Sequence, residues 1–215
     1  MEKIITELNA AMLKQMLIHT AYFFQEKESE LTRIDIQIGD GDHGIGMQRG
    51  WSAVLNLLSE NEYKNVKDLF YAAGLELIRS MGGASGVIFG TMFVGGVDKL
   101  GAGLTASASE LAEYFLEGEK KIEQRGKAAP GDKTMLDALY PACQAMLRSS
   151  KENDNIISLF YHAAEGAKEG MEKSKILIPH LGRSRNFREK AIGIPDPGAV
   201  SVTFIFSAFY EALDH

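Results

Sequence analysis

Apolar residues in this chain recur every three or four positions and almost never alternate. Leu8, Met12, Leu13, Met16, Leu17 and Phe24 fall on one stripe, and Met47, Trp51, Val54, Leu55 and Leu58 follow the i, i+4, i+7, i+8, i+11 spacing. Val66, Leu69, Phe70, Ala73 and Leu77 carry a third stripe. A period near 3.6 buries one face of a helix and cannot serve a half-buried strand, whose period is 2. Residues 85–99 are apolar on nearly all sides, as a centrally buried helix would be. Ser107 and Glu110 make a capping-box pair ahead of a helix carrying Leu111, Phe115 and Ile122. Further helices are expected over 133–150, with Pro141 kinking the first of them, over 155–173 and over 198–213. The best alternating segment, Ile34-Asp35-Ile36-Gln37-Ile38, is short. The pattern predicts eight helices and essentially no sheet.

The 215 residues hold no Pro/Ser-rich or low-complexity linker, so one domain over 1–215 is expected, with a substantial core. A net charge of −6 argues against nucleic acid or an anionic membrane as partner. Cys143 is the single cysteine, which excludes an internal disulfide and a thiolate metal cluster and suits a reducing cytoplasm. The N-terminal Met-Glu-Lys-Ile-Ile-Thr-Glu has no signal-peptide pattern. The longest apolar stretch, around 87–97, is interrupted by glycines and too short to span a membrane.

One loop stands out chemically. Asp35, Asp40 and Asp42 fall within eight residues, a glycine precedes each of the last two, and His43-Gly44 follows. Two like charges about 4 Å apart repel by roughly 4 kcal/mol at an effective dielectric of 20, so a fold that gathers three needs a cation. Carboxylates without cysteine suit a hard ion, Mg²⁺ before Zn²⁺. Asp-Gly pairs also form ordinary surface turns, and locally the two readings are evenly balanced. An EF-hand is excluded: counted from Asp40, the fifth and twelfth positions are Gly44 and Trp51.

Three other helix starts are rich in glycine or small residues. Gly82-Gly83-Ala84-Ser85-Gly86 would let backbone N–H groups meet an anion, or would simply allow close helix packing. Residues 126–134, Gly-Lys-Ala-Ala-Pro-Gly-Asp-Lys-Thr, are not a P-loop, because Asp132 separates Gly131 from Lys133 and a charged helical stretch precedes them. Asp196-Pro197-Gly198 reads as an N-cap with proline at the first helical position. The long connection from Ser174 to Asp196 carries Lys175, His180, Arg183, Arg185, Arg188 and Lys190, a basic loop in an acidic chain that invites an anion or is merely solvated.

Taken together, Ile38-Gly39-Asp40-Gly41-Asp42-His43-Gly44, the Gly82–Gly86 run, Pro130-Gly131-Asp132-Lys133-Thr134-Met135-Leu136-Asp137, Gly182-Arg183 and Asp196-Pro197-Gly198 resemble, in order and over essentially the full length, the nucleotide-binding L subunit of bacterial phosphoenolpyruvate-dependent dihydroxyacetone kinases. The resemblance implies an all-α, single-domain closed barrel of eight antiparallel amphipathic helices with the nucleotide site at one end. It implies that Asp35, Asp40 and Asp42 hold two Mg²⁺. It implies that His43, Gly44, Ile45, Gly46, Ala84, Ser85, Gly126, Met135, Arg183, Asp196, Pro197 and Gly198 contact the nucleotide. The family usually has Asn where this chain has Gly46.

By the same resemblance ADP, or ATP when charged, is a resident cofactor. A phosphohistidine-bearing M subunit of the phosphotransferase system recharges it, and a separate K subunit holds the dihydroxyacetone. Arg183, on the basic loop, is the candidate catalytic group for stabilising transition-state charge. The alternatives are a kinase using free ATP, against which the stand-alone length argues, and a nucleotide-loaded non-catalytic adaptor that binds a transcription regulator. A cytoplasmic protein with no nucleic-acid or membrane partner is expected.

Overall fold

The computed structural model describes residues 3–214; Met1 and Glu2, with which the N-terminal sequence begins, and His215 lie outside them. Eight α-helices account for most of the described chain: α1 (Ala10–Ile38), α2 (His43–Glu60), α3 (Val66–Met81), α4 (Gly83–Val94), α5 (Ala108–Gly126), α6 (Leu136–Glu152), α7 (Ile156–Ser174) and α8 (Pro197–Asp214). Two three-residue strands the pattern did not reveal, β1 (Glu7–Asn9) and β2 (Thr105–Ser107), pair antiparallel with Leu8 opposite Ala106. Each helix packs on the next in sequence, and α8 returns against α1, so the ring of neighbours closes. No helix among the described residues is long and apolar enough to cross a membrane.

The stripes read from the sequence line the interior. Trp51 of α2 stacks on Phe24 of α1 at 5.6 Å between ring centroids, and Phe70, Phe93, Phe115 and Phe160 continue the buried aromatic cluster across α3, α4, α5 and α7. Local chemistry sets the helix starts. Asn9 accepts from Met12 N–H at 2.9 Å, and Ser107 and Glu110 form the expected reciprocal capping box.

Three boundaries differ from the pattern, each for a physical reason. The alternating Ile34–Ile38 segment is the last part of α1 and not a strand. Leu31, Asp35 and Ile38 are buried at helical spacing while Ile36 is 61% exposed, so packing on one face overrides local alternation. Helix α4 stops at Val94 and gives way to a 3₁₀ turn at Val97–Lys99, because a Cβ on Gly96 would lie 1.9 Å from the Tyr114 carbonyl of α5. Helix α6 begins at Leu136 because Lys133 has φ +58° and the Asp137 carboxylate accepts from Gly131 N–H and Thr134 N–H at 2.6 and 2.7 Å. The helix runs through Pro141, whose carbonyl lies against Gly166 of α7.

Candidate functional site

The starts of α2, α4, α6 and α8 open on one cavity of about 760 Å³. Its floor is the loop between α1 and α2. Asp35, one turn from the end of α1, is buried and turns one carboxylate oxygen to accept from Gly41 N–H at 2.9 Å and His43 N–H at 3.2 Å. Gly39 permits this, since a Cβ there would sit 2.1 Å from the other Asp35 oxygen. The remaining carboxylates, Asp40 and Asp42, are exposed, and one oxygen from each of the three lies within 4.8 Å of the others. An all-oxygen, all-anionic donor set of this span fits Mg²⁺, which prefers one or two carboxylates per ion together with water and phosphate.

Arg183 supports the same reading from above. Its guanidinium pairs with Asp40 and reaches Asp42 at 3.1 Å, so a positive group comes to the point where the three carboxylates converge. The basic connection thus folds over the cavity, with Leu181, Gly182, Arg183 and Ser184 in its lining.

The wall opposite is the start of α4. Gly82 and Gly83 have φ of +73° and +61°, values that L side chains rarely adopt, and a Cβ on Gly83 would meet nothing within 4 Å. These two glycines therefore shape an open turn and do not pack. Gly86, one turn on, is the packing glycine: a Cβ there would lie 3.1 Å from Met81 Cβ. The packing reading is met at Gly86, while the open turn at Gly82 and Gly83 faces the cavity. Ala84 and Ser85 stand at the exposed helix start, where unpaired N–H groups and the dipole favour an anion. Arg49 of α2 fixes the turn by donating to the Ser80 carbonyl at 2.8 Å and to the Met81 carbonyl.

At the start of α8, Asp196 caps Ala199 N–H at 2.9 Å with Pro197 at the first helical position, as the sequence indicated. Burial pushes the Asp196 carboxyl up to about 7, against the opposing pull of the backbone N–H groups and Lys133. His43 packs beside it: its Nε2 lies 2.8 Å from Ser201 Oγ, and burial holds its pKa below the usual imidazole value despite Asp35.

Of the sequence-derived candidates, Asp35, Asp40, Asp42, His43, Ile45, Gly46, Ala84, Ser85, Gly126, Met135, Arg183, Asp196, Pro197 and Gly198 all line this cavity. Gly44 does not: a Cβ there would lie 2.4 Å from Thr32 Oγ1, so this residue packs α2 against α1. At Gly46 a Cβ would meet nothing nearer than Met81 O at 4.0 Å. Ile88, Phe89, Ile122 and Leu136 supply apolar lining of the kind that suits a planar base. Sequence reasoning missed Arg49, Lys133 and Asp137. The Thr134-x-x-Asp137 spacing was a readable capping signal for the last, whereas Arg49 looks like any helix-surface arginine.

Comparison with known proteins identifies the family. The DAK2 domain family matches residues 37–211. The ADP-binding subunit DhaL of the PEP-dependent dihydroxyacetone kinase of Escherichia coli (strain K12) is 33% identical over 198 residues, 92% of this chain and 94% of that one. ADP-binding subunit DhaL of PEP-dependent dihydroxyacetone kinase 1 from Listeria innocua is 34% identical over 187 residues, 87% of this chain and 88% of that one. The solved dihydroxyacetone kinase from C. freundii in complex with AMP-PNP and Mg²⁺ has a TM-score of 0.75 at 26% identity. That match covers 98% of this chain and 35% of the other, so the chain spans about a third of that kinase. A family match over most of the sequence and near-complete coverage of relatives above 30% identity place the chain: it belongs to the DAK2 domain family.

Proposed function

We propose that this chain is the ADP-binding, phosphoryl-transferring subunit of a phosphoenolpyruvate-dependent dihydroxyacetone kinase. One observation carries the reading: three carboxylates, with one oxygen of each within 4.8 Å of the others, lie in the same cavity as the starts of α4 and α8. That combination of cation ligands with helix-start N–H groups suits a nucleoside diphosphate.

In this reading Asp35, Asp40 and Asp42 hold two Mg²⁺, and His43, Ile45, Gly46, Ala84, Ser85, Gly126, Met135, Arg183, Asp196, Pro197 and Gly198 surround ADP. When bound, the nucleotide supplies the phosphoryl relay and the metal ions neutralise its charge. The protein's own work is positioning and electrostatics, which dominate phosphoryl transfer. Asp35 sits with its carboxylate locked by two N–H groups and so presents a fixed oxygen. The exposed N–H groups opening α4 meet phosphate oxygens. Arg183, brought in by the basic loop, stabilises charge as it develops on the transferred group. The phosphoryl group comes from a phosphohistidine carrier, the M subunit, and leaves for dihydroxyacetone held on a K subunit. The setting is the cytoplasm. No feature of the described surface favours a transcription regulator as partner.

Nucleotide exchange tests the relay. Protein loaded with labelled ADP should retain it against excess unlabelled ATP and turn over only when the charged carrier is supplied. Ready exchange, with turnover on ATP alone, would assign the chain to the kinases that use free ATP.

A further inference from the structure

Lys133 is fully buried although it lines the cavity, and its position invites the view that it binds phosphate. Its hydrogen bonds say otherwise. The ammonium donates to the carbonyls of Ser174, Ala191 and Ile194 at 2.8, 2.9 and 2.7 Å. An ammonium has three donors, so none is left for a ligand.

The three acceptors have one thing in common. Ser174 ends α7, at the root where the basic loop departs, and Ala191 and Ile194 lie at the root where it returns. The two roots are also tied to each other: Gly193 N–H donates to Lys175 O at 2.7 Å, and Asp196 N–H to Ser174 Oγ at 3.0 Å. Lys133 itself stands on the turn that leads into Met135, with the left-handed backbone that points its side chain inward. That turn is braced by Asp137 from below and by His180 N–H, which donates to Asp132 O at 3.2 Å, from the loop side.

We infer that Lys133 is a positioning residue: it rivets both roots of the 175–194 loop to the 130–134 turn and so sets where Arg183 meets Asp40 and Asp42. The kinetic half of this inference rests on the function proposed above; the structural half does not. Removing the ammonium takes a charged donor from all three carbonyls: Ser174 O and Ala191 O keep only the Leu177 and Ile194 N–H groups, each at 3.2 Å, and Ile194 O is left with none, so the paired roots loosen from the 130–134 turn. Arg183 is then delivered over a spread of positions, and turnover falls through the loss of its contribution.

Two variants test this. Lys133→Met keeps the side-chain volume, and Lys133→Gly keeps the left-handed backbone while deleting the ammonium. Hydrogen exchange without nucleotide should quicken by about tenfold or more at amides 175–194 in both, with α1 to α5 unchanged. Turnover should fall by about tenfold for Lys133→Met in the native background, but less than about twofold in an Arg183→Ala background, since the two residues act through one element. Unchanged exchange in the loop overturns the inference, as do losses that multiply across the two backgrounds, which would mark Lys133 as an independent ligand contact. Global unfolding of both variants also overturns it, by assigning Lys133 to the whole fold. A wild-type protein with no phosphoryl transfer would remove the functional reading and leave the exchange result to judge the rivet.

Discussion

The Nε2 of His43 lies 2.8 Å from the Ser201 hydroxyl, joining the first residue of α2, beside the acidic loop, to the second turn of α8. Two of the cavity's helix starts are thereby held in register. Ser201 is fully buried and His43 half-buried, so Ser201→Ala removes the hydrogen-bond partner of a part-buried ring nitrogen, at a cost of about 1 kcal/mol. For a chain this size about 2–4 °C of melting temperature goes with each kcal/mol. We expect a lower Tm by thermal denaturation together with weaker ADP binding by calorimetry; a fall in Tm with unchanged affinity would confine the contact to stability.

Asp40 is exposed and shares its cation position with Asp42 and Arg183. Asp40→Asn should weaken Mg²⁺-dependent ADP binding by more than the roughly 10–100-fold typical of losing an outer-shell metal partner. Tm without metal should hold or rise, because one of three converging negative charges is gone. Titration of ADP at fixed Mg²⁺ reads the first effect. Retained affinity would remove Asp40 from the metal set.

The Gly46 position has room for a side chain, with nothing nearer than 4.0 Å to a Cβ, and it faces the cavity. Gly46→Asn, which restores the residue usual in the family, should fold normally and gain a few tenths of a kcal/mol in helix propensity. One added hydrogen bond to the nucleotide, about 1 kcal/mol, would tighten ADP binding roughly fivefold. Weaker binding would mean that the space is already needed by the ligand.

Glu119 of α5 is 2% exposed, and its Oε1 has no hydrogen-bond partner in the described structure. Burial, with Glu123 adding repulsion, raises its pKa to about 7. The unfolded carboxyl ionises near 4, so between pH 4 and 7 the folded state binds the extra proton and stability falls as pH rises. Above 7 the penalty is complete. Glu119→Gln should therefore raise Tm at pH 8 by more than about 2 °C and by clearly less at pH 5. Equal effects at both pH values would show that ionisation of Glu119 is not the cause.

The fold was legible because amphipathic stripes such as Met47, Trp51, Val54 and Leu58 bury as a unit and tolerate no other geometry. The acidic loop was legible because charge repulsion restricts what three clustered carboxylates can do. Boundaries failed where a distant backbone decided them, as at Gly96 against Tyr114. The roles of Gly44 and Lys133 were hidden for the same reason. Whether a glycine faces a ligand or a neighbouring helix, and whether a lysine meets phosphate or three carbonyls, depends on partners remote in sequence.

In the proposed function the cavity holds a nucleotide on a carboxylate-bound metal. The most direct test is to denature the purified protein and assay the supernatant for nucleotide and magnesium. ADP is expected at about one per chain, with Mg²⁺ released alongside it and both lost in Asp40→Asn. A wild-type protein that carries no nucleotide and cannot be loaded with ADP in the presence of Mg²⁺ would contradict it.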